Sequence, residues 1–154
     1  TKEITARGID PNRLIFGKHL SKPEYLARYW VADLFLDTHP YNAGTTASDA
    51  LRMGLPVLTC IGHSFASRMG ASVISALNLP ELITTTKEEY ESLAIELATD
   101  PAKLKIIKDK LASNLSTAPL YNTKLFTKNL ESAYTEMYER CQQGLDPDHI
   151  YVKH

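Results

Sequence analysis

Short apolar runs alternate along the chain with longer stretches in which apolar residues recur at helical spacing. Runs of about four to eight apolar residues between turn formers are typical of buried strands, and helical spacing is typical of amphipathic helices. The pattern predicts strands at 13–16, 32–37, 55–60 and 80–83. It predicts helices at 22–31, 47–53, 65–77, 87–98, 101–114 and 123–143. Strands separated by helices indicate right-handed βαβ units and a parallel sheet.

The predicted fold class is therefore α/β, a Rossmann-like parallel sheet flanked by helices. Strands and helices alternate over residues 1–100, and the remainder shows only helical patterning. We expect one α/β domain over 1–100. We expect a helical extension over 101–154 that packs on this domain or on a further one.

Composition excludes several classes of function but does not identify the function. The 154 residues carry a formal net charge of −1, which gives no general attraction to nucleic acid or to an anionic membrane. Cys60 and Cys141 are too few and too far apart for a disulfide framework or a zinc site, so we expect a reducing, cytoplasmic compartment. No apolar run approaches the roughly 18 residues of a membrane span. The chain begins with Thr1, and we expect it to be part of a longer protein.

The strongest candidate chemistry lies between Asp37 and Leu51. A predicted strand is followed by turn formers, then by Gly44, Thr45 and Thr46 at the predicted start of a helix, where the two hydroxyls are suited to cap it. This order directs unpaired N–H groups and the positive end of a helix dipole at one point, which favours an anion such as a phosphate. Asp49 lies one turn further on, within reach of a sugar hydroxyl of the same ligand.

The alternative for this stretch is a plain helix cap with a solvated carboxylate. The turn follows a strand in the middle of the predicted sheet, however, and open α/β sheets bind ligands at the carboxyl ends of such strands. We therefore favour a ligand site here.

A second candidate group lies on the predicted helix at 22–31. Lys22, Tyr25 and Arg28 are spaced three residues apart and share one face. They form either part of a ligand site or a solvated basic face on which the tyrosine packs down. The residues alone leave both interpretations open.

The remaining candidates are explained most simply as local structure. His63, Ser64 and Arg68 follow a predicted strand, where a capped turn accounts for them. His39 is either an acid–base group or a turn residue, and we assign it no role. The chain contains no G-x-S-x-G, Walker A, G-x-G-x-x-G or zinc-ligand spacing, which disfavours a hydrolase, a kinase-type transferase and an NAD dehydrogenase. The catalytic residues stay unidentified, and no metal site is expected.

Several longer segments occur in unbroken order over nearly the whole chain. They are S-K-P-E-Y-L-A-R-Y, A-D-L-F-L-D-T-H-P-Y-N-A-G-T-T-A-S-D-A-L-R-M-G-L-P-V-L-T, F-A-S-R-M-G-A-S and A-P-L-Y-N-T-K-L-F-T-K-N-L-E-S-A-Y-T-E-M-Y-E-R. Together they resemble the C-terminal part of the O-linked N-acetylglucosamine transferase family, and most of all its bacterial TPR-containing, SPINDLY-type members. The resemblance implies a GT-B glycosyltransferase, in which two Rossmann-like domains face a cleft and the second holds most of the sugar nucleotide.

The resemblance assigns roles to the residues on the first predicted ligand-site helix. Lys22 matches the family's nucleotide-binding lysine, and Arg28 matches a neighbouring arginine. Tyr25 stands where the animal enzymes have a histidine beside the uracil. Its aromatic ring can still stack on the uracil, whereas we do not expect it to keep the hydrogen bond of the histidine.

The resemblance also assigns roles around the glycine turn. Gly44, Thr45 and Thr46 align with a His-Thr-Thr turn that binds the diphosphate, with glycine in place of the histidine, so one donor is lost. Asp49 matches the aspartate that binds the ribose.

The resemblance further implies that residues 1–100 are a Rossmann-like nucleotide-sugar-binding domain that lacks its first two strands. In the usual order 3-2-1-4-5-6, these would lie between the strands at 13–16 and 32–37. Either those two strands pair with each other or the sheet keeps an exposed edge. The last helix of a GT-B enzyme returns to the first domain, so its apolar stripe would also stay uncovered. We therefore expect self-association.

The expected function is donor-nucleotide binding within a UDP-GlcNAc-dependent protein O-glycosyltransferase, which transfers GlcNAc to Ser/Thr by inversion. The donor substrate would be UDP-GlcNAc, with UDP as its product and with no metal or other cofactor. A protein acceptor would be reached through other domains, and the chain alone would show weak UDP binding and no transfer. The alternatives are a related GT-B transferase that uses UDP-glucose or GDP-fucose, and a non-catalytic nucleotide-binding or interaction domain.

Overall fold

Strands β1 (Phe35–Leu36), β2 (Val57–Cys60) and β3 (Ile83–Thr84) form a parallel sheet in the order β1-β2-β3. The computed structural model describes residues 1–152, so Lys153 and His154 of the predicted 101–154 extension lie outside the described residues. The register pairs Phe35 with Val57 and Thr59 with Ile83. Parallel strands joined by helices confirm the predicted α/β class.

Helices connect and follow the strands. They are α1 Lys2–Ala6, α2 Lys22–Ala27, α3 Thr45–Arg52, α4 Met69–Ala76, α5 Lys87–Thr99, α6 Pro101–Leu115 and α7 Thr123–Gln142. Short 3-10 helices lie at Pro11–Arg13, Arg28–Val31, Pro80–Leu82 and Pro119–Tyr121. Local sequence explains several helix ends. Thr86 and Glu89 form a capping box at the start of α5, and Gly54 and Asn78 take positive φ angles just after α3 and α4.

The core forms where α3, α4, α5 and α6 meet the sheet. All four residues of β2 are buried, which matches the continuous apolar run expected of a central parallel strand. Helix α6 contributes Ile107 and Leu111 to the same core as β2, so residues 101–115 pack directly on the preceding α/β unit. This core holds the carboxyl ends of β1 and β2 in place, and both candidate ligand groups lie beside β1.

The predicted strand at 13–16 is wrong. Residues Pro11–Arg13 form a 3-10 helix, and the segment after them pairs with no strand among the described residues. Ile15 and Phe16 are 88% and 73% exposed. An apolar run becomes a strand only where a neighbouring strand accepts its hydrogen bonds, and none is present here.

The sheet therefore keeps an exposed edge at β1, as one of the two sequence alternatives predicts. Leu36 is 55% exposed there, and β1 pairs only with β2 among the described residues. The predicted helix at 65–77 also starts later, at Met69, because the Ser64 and Ser67 side chains bond each other and nearby backbone and hold a turn.

Helix α7 carries an apolar stripe that no described part of the chain covers. It contacts mainly the 3-10 helix at Pro119–Tyr121, and it buries none of its residues. The exposed members of the stripe are Phe126, Leu130, Tyr134, Met137 and Tyr138. Within residues 1–152, no helix is both long and apolar enough to cross a membrane.

Candidate nucleotide-binding site

The tip of α3 lies directly after the turn that leaves β1. Gly44 is the N-cap residue, and Thr45 and Thr46 are the first two residues of the helix. The prediction that the threonines cap this helix is therefore wrong, because the turn ends before them and no side-chain cap bond forms. Both threonines are exposed, and their hydroxyls and N–H groups bond no described residue. The tip thus presents free donors to solvent.

Asp37 fixes the turn that leads from β1 to the start of α3, a role that the sequence alone did not predict. Its carboxylate is buried and accepts bonds from the N–H groups of Thr38 (2.8 Å) and Ala43 (2.7 Å) and from Thr59 Oγ1 (2.7 Å). The turn between them contains a cis peptide bond at His39–Pro40. Because its two ends are tied to one carboxylate, the turn and Gly44 after it are fixed relative to the sheet.

The two predicted residue groups line one cleft. Lys22, Tyr25 and Arg28 come from α2 and the 3-10 turn that continues it, and face Thr45, Thr46 and Asp49 of α3 across a space of about 640 Å³. His19, Leu20 and Ser21 complete its lining. The structure therefore brings together every predicted site residue except Gly44, which lies just behind the tip.

Lys22 and Asp49 form an ion pair across this cleft. Lys22 Nζ lies 2.7 Å from Asp49 Oδ2, and the two side chains are 63% and 20% exposed. Lys22 Nζ also lies 4.9 Å from the centre of the Tyr25 ring, and the Arg28 guanidinium lies 5.6 Å from it. An aromatic face beside two cations and one carboxylate suits a planar base attached to a sugar and an anionic group.

Tyr29 is a second residue that the sequence analysis did not single out. Its hydroxyl donates to the carbonyl of Thr46 (3.3 Å) and shares a hydrogen bond with the Tyr25 hydroxyl. Burial, followed by that bond to Tyr25, raises the pKa of Tyr29 above its usual value. The spacing of the two tyrosines by one helical turn was the available sequence signal.

A second hollow of about 580 Å³ also reaches the α3 tip. Thr45 and Thr46 line both hollows, and Gly44 lines only this one. Its walls include the apolar and aromatic side chains of Phe35, Leu36, Tyr41, Phe65 and Met69. An anion at the tip would therefore adjoin both hollows.

The other sequence candidates stay apart from this cleft. Ser64 belongs to the capped turn, which confirms its structural explanation. Arg68 is the exposed N-cap residue of α4 and lines a separate hollow, while His39 and His63 are exposed. Among the described residues, no cluster of three or more His, Cys, Asp or Glu side chains is placed to hold a metal ion.

A parallel sheet flanked by helices, with the tip of α3 following the turn that leaves β1, defines a Rossmann-like α/β domain. Residues 1–130 match Glycosyl transferase family 41, and the chain belongs to that family. The resemblance to O-linked N-acetylglucosamine transferases that the sequence segments carry is thereby confirmed.

Named relatives agree with this assignment. The chain is 35% identical, over 97% of its length, to the UDP-N-acetylglucosamine–peptide N-acetylglucosaminyltransferase of Caenorhabditis elegans. It is 34% identical, over 96% of its length, to the probable enzyme of the same name, SEC, of Arabidopsis thaliana. It spans only 13% and 15% of those two proteins.

A solved structure shows the same fold. A mutant of the Thermobaculum terrenum O-GlcNAc transferase superposes with a TM-score of 0.84 at 33% identity, over 93% of this chain and 28% of the other. This similarity confirms the predicted GT-B-type α/β architecture.

Proposed function

We propose that this chain is the donor-nucleotide-binding part of a glycosyltransferase that moves N-acetylglucosamine from UDP-GlcNAc to serine or threonine side chains of proteins. One observation carries the proposal. A single cleft gathers a cation, an aromatic ring, the open tip of a helix and a carboxylate, from two elements that are distant in sequence. Membership of Glycosyl transferase family 41 supports it.

Each part of the cleft has a proposed role. The free N–H groups and hydroxyls of Thr45 and Thr46 bind the diphosphate, aided by the helix dipole and by Lys22. Tyr25 packs against the uracil ring with Arg28 beside it. Asp49 accepts a bond from a ribose hydroxyl and exchanges its present contact with Lys22 for one with the ligand. Gly44 gives the diphosphate close access to the backbone.

Charge stabilisation is the chemical contribution of this arrangement. In glycosyl transfer to a protein hydroxyl the bond from the sugar to the diphosphate breaks, and negative charge develops on the departing UDP. We expect the donors at the α3 tip and the Lys22 ammonium to bind that charge, and the proposed mechanism uses no metal or other cofactor. The acceptor hydroxyl loses its proton to a base that would lie in another part of the protein.

We propose that the chain alone binds UDP weakly and does not transfer the sugar. It spans 28% of the matched transferase structure, whereas a GT-B site is built between two domains. The protein acceptor and the catalytic base would be supplied by other parts of a longer protein. We also propose a cytoplasmic location, because Cys60 and Cys141 are both free thiols.

A transferase with another donor is the second candidate. The match extends to a probable SPINDLY protein of Hordeum vulgare, at 35% identity over 80% of this chain. Tyr25 and Gly44 depart from the animal pattern at the base and diphosphate positions, which favours a different donor such as UDP-glucose or GDP-fucose. The same departures would suit a domain that binds nucleotide without catalysis.

Thermal melting with UDP, UDP-GlcNAc and GDP tests the proposal. At a ligand concentration of ten times Kd, binding stabilises the folded chain by about 1.4 kcal/mol, a rise of about 3–5 °C in Tm. We expect this rise with UDP and UDP-GlcNAc, with amide shifts at Gly44–Asp49, and none in Asp49→Asn. A preference for GDP would support the second candidate, and no response to any nucleotide would refute donor binding.

A further inference from the structure

A chain of hydrogen bonds links the aromatic wall of the cleft to its anion-binding tip. Tyr25 lines the cleft, and its hydroxyl bonds that of Tyr29. Tyr29 in turn donates to the Thr46 carbonyl in the first turn of α3. Tyr29 itself is half-buried and is not part of the cleft wall. It connects two ligand-facing residues without facing the ligand.

The direction of the bonds in this chain follows from proton counting. A phenol has one proton, and Tyr29 uses its proton on the Thr46 carbonyl. The bond between the two tyrosines must then be donated by Tyr25. Tyr25 therefore directs its only proton away from the cleft, and its ring orientation is tied to the position of the α3 tip.

Ring packing holds Tyr29 in place independently of its hydroxyl. Its ring meets that of Tyr25 edge-on, with centres 5.4 Å apart, and lies 6.5 Å from the ring of Phe35 in β1. Phe35 also packs against the core. Removing only the hydroxyl should therefore leave the rings packed and break only the two hydrogen bonds of this hydroxyl, to Tyr25 and to Thr46.

We infer that Tyr29 is a positioning residue that sets the Tyr25 ring and the α3 tip at the separation a nucleoside diphosphate requires. The inference rests on the proposed function, and it deepens the function by coupling the base contact to the diphosphate contact. A ligand that contacts both walls binds more tightly when their spacing is already fixed, because the protein loses less conformational entropy on binding.

The protein contains a second tyrosine that serves as a matched control for Tyr29. Tyr121 also donates its hydroxyl to a carbonyl of α3, that of Ser48 (2.8 Å), and lies outside the cleft. Tyr29→Phe and Tyr121→Phe therefore each remove a phenol bond to a carbonyl of the same helix, and Tyr121→Phe also removes a longer bond from Ser48 Oγ (3.5 Å). A merely structural role would make the two variants behave alike.

UDP titration of the full chain separates these roles. We expect Tyr29→Phe to bind UDP about fivefold more weakly than wild type, and Tyr121→Phe to bind it as wild type does, with similar melting temperatures. Tyr25→Phe combined with Tyr29→Phe should cost less than the sum of the single changes, since both break one chain of bonds. Without ligand, Tyr29→Phe should shift the amide of Ala50, which bonds the Thr46 carbonyl in a regular helix.

The outcomes distinguish failure of the inference from failure of the proposed function. If wild type binds UDP and Tyr29→Phe binds it equally well, the positioning role is wrong and donor binding stands. Equal losses in Tyr29→Phe and Tyr121→Phe would also overturn it, by showing a general effect on α3. If wild type does not bind UDP, the proposed function is wrong and the positioning role falls with it. An unshifted Ala50 amide would refute the link to Thr46 whatever the ligand does.

Discussion

Thr59 Oγ1 donates a 2.7 Å hydrogen bond to Asp37 Oδ2, which joins the ends of two neighbouring strands at a buried point. The other oxygen of the same carboxylate accepts from the backbone at both ends of the turn before α3. The geometry of the candidate site thus depends on a residue that lines the hollow behind the α3 tip and is absent from the nucleotide cleft.

Replacing Asp37 by alanine should therefore be strongly destabilising. The N–H groups of Thr38 and Ala43 and the Thr59 hydroxyl would each lose their acceptor, at a combined cost of about 3 kcal/mol. Urea unfolding would measure the change. Asp33→Ala is the control, because its side chain is 83% exposed and, within residues 1–152, pairs only with Lys108, so its loss should cost less than about 1 kcal/mol. Equal effects of the two changes would contradict the role given to Asp37.

Gly70 in α4 should resist substitution for the same reason. A Cβ there would overlap Asp37 Oδ2 and lie 2.7 Å from Thr59 Oγ1. Alanine normally stabilises a helix by about 1 kcal/mol relative to glycine, so the expected sign is reversed. We expect Gly70→Ala to lower the free energy of unfolding by about 1–2 kcal/mol in urea. Ser72→Ala, on the exposed side of the same helix, should change it little, and a stabilised Gly70→Ala would show that the contact relaxes freely.

Lys22 should matter for the ligand far more than for the fold. Its pair with Asp49 is partly solvated, so Lys22→Met should change stability by no more than about 0.5 kcal/mol. A cation near the diphosphate contributes more, and we expect about tenfold weaker UDP binding by calorimetry, with a loss that shrinks as salt is added. Lys110→Met breaks a comparable pair with Glu81 away from the cleft and should leave UDP affinity unchanged. Unaltered binding by Lys22→Met would remove Lys22 from the site.

Local signals explain why most helices and the sheet direction were predictable from sequence. Gly54, Asn78 and Thr86 mark helix boundaries through their own backbone or side-chain chemistry, so no distant contact is needed to interpret them. Six of the residues that line the cleft were candidates from their spacing on α2 and from the glycine turn before α3, and for those on α2 the family resemblance was needed to favour a ligand site over a solvated face. The pairing of Lys22 with Asp49, 27 residues apart, required the fold.

Most of the missed features depend on partners that are distant or lacking. Asp37 bonds Thr59, and Tyr29 bonds Thr46, across 22 and 17 residues, so no local pattern predicts either bond, although the one-turn spacing of Tyr29 from Tyr25 was visible. The segment at 13–16 has the composition of a strand, but composition does not report whether a neighbouring strand exists. The late start of α4 follows from hydroxyl bonds that compete with the helix, which propensity alone does not reveal.

The stripe on α7 gives a prediction about association. Tyr134 is 59% exposed and Leu130 38%, whereas Leu111 in α6 is fully buried. In the monomer, Leu130→Ser and Tyr134→Ser should each change the free energy of unfolding by less than about 1 kcal/mol, because these side chains bury little apolar surface when the chain folds. Leu111→Ala should cost about 2–5 kcal/mol.

Exposed apolar area of this kind should also make copies of the chain associate, together with the open edge of β1. We expect the mass from light scattering after size exclusion to rise with loading concentration, and Leu130→Ser with Tyr134→Ser to reduce that rise. Lys128→Ser on α7 is the control for a change that leaves the apolar stripe intact. A monomer at every concentration would show that neither surface drives association in isolation, whereas association unaffected by the two serines would assign it to the edge of the sheet.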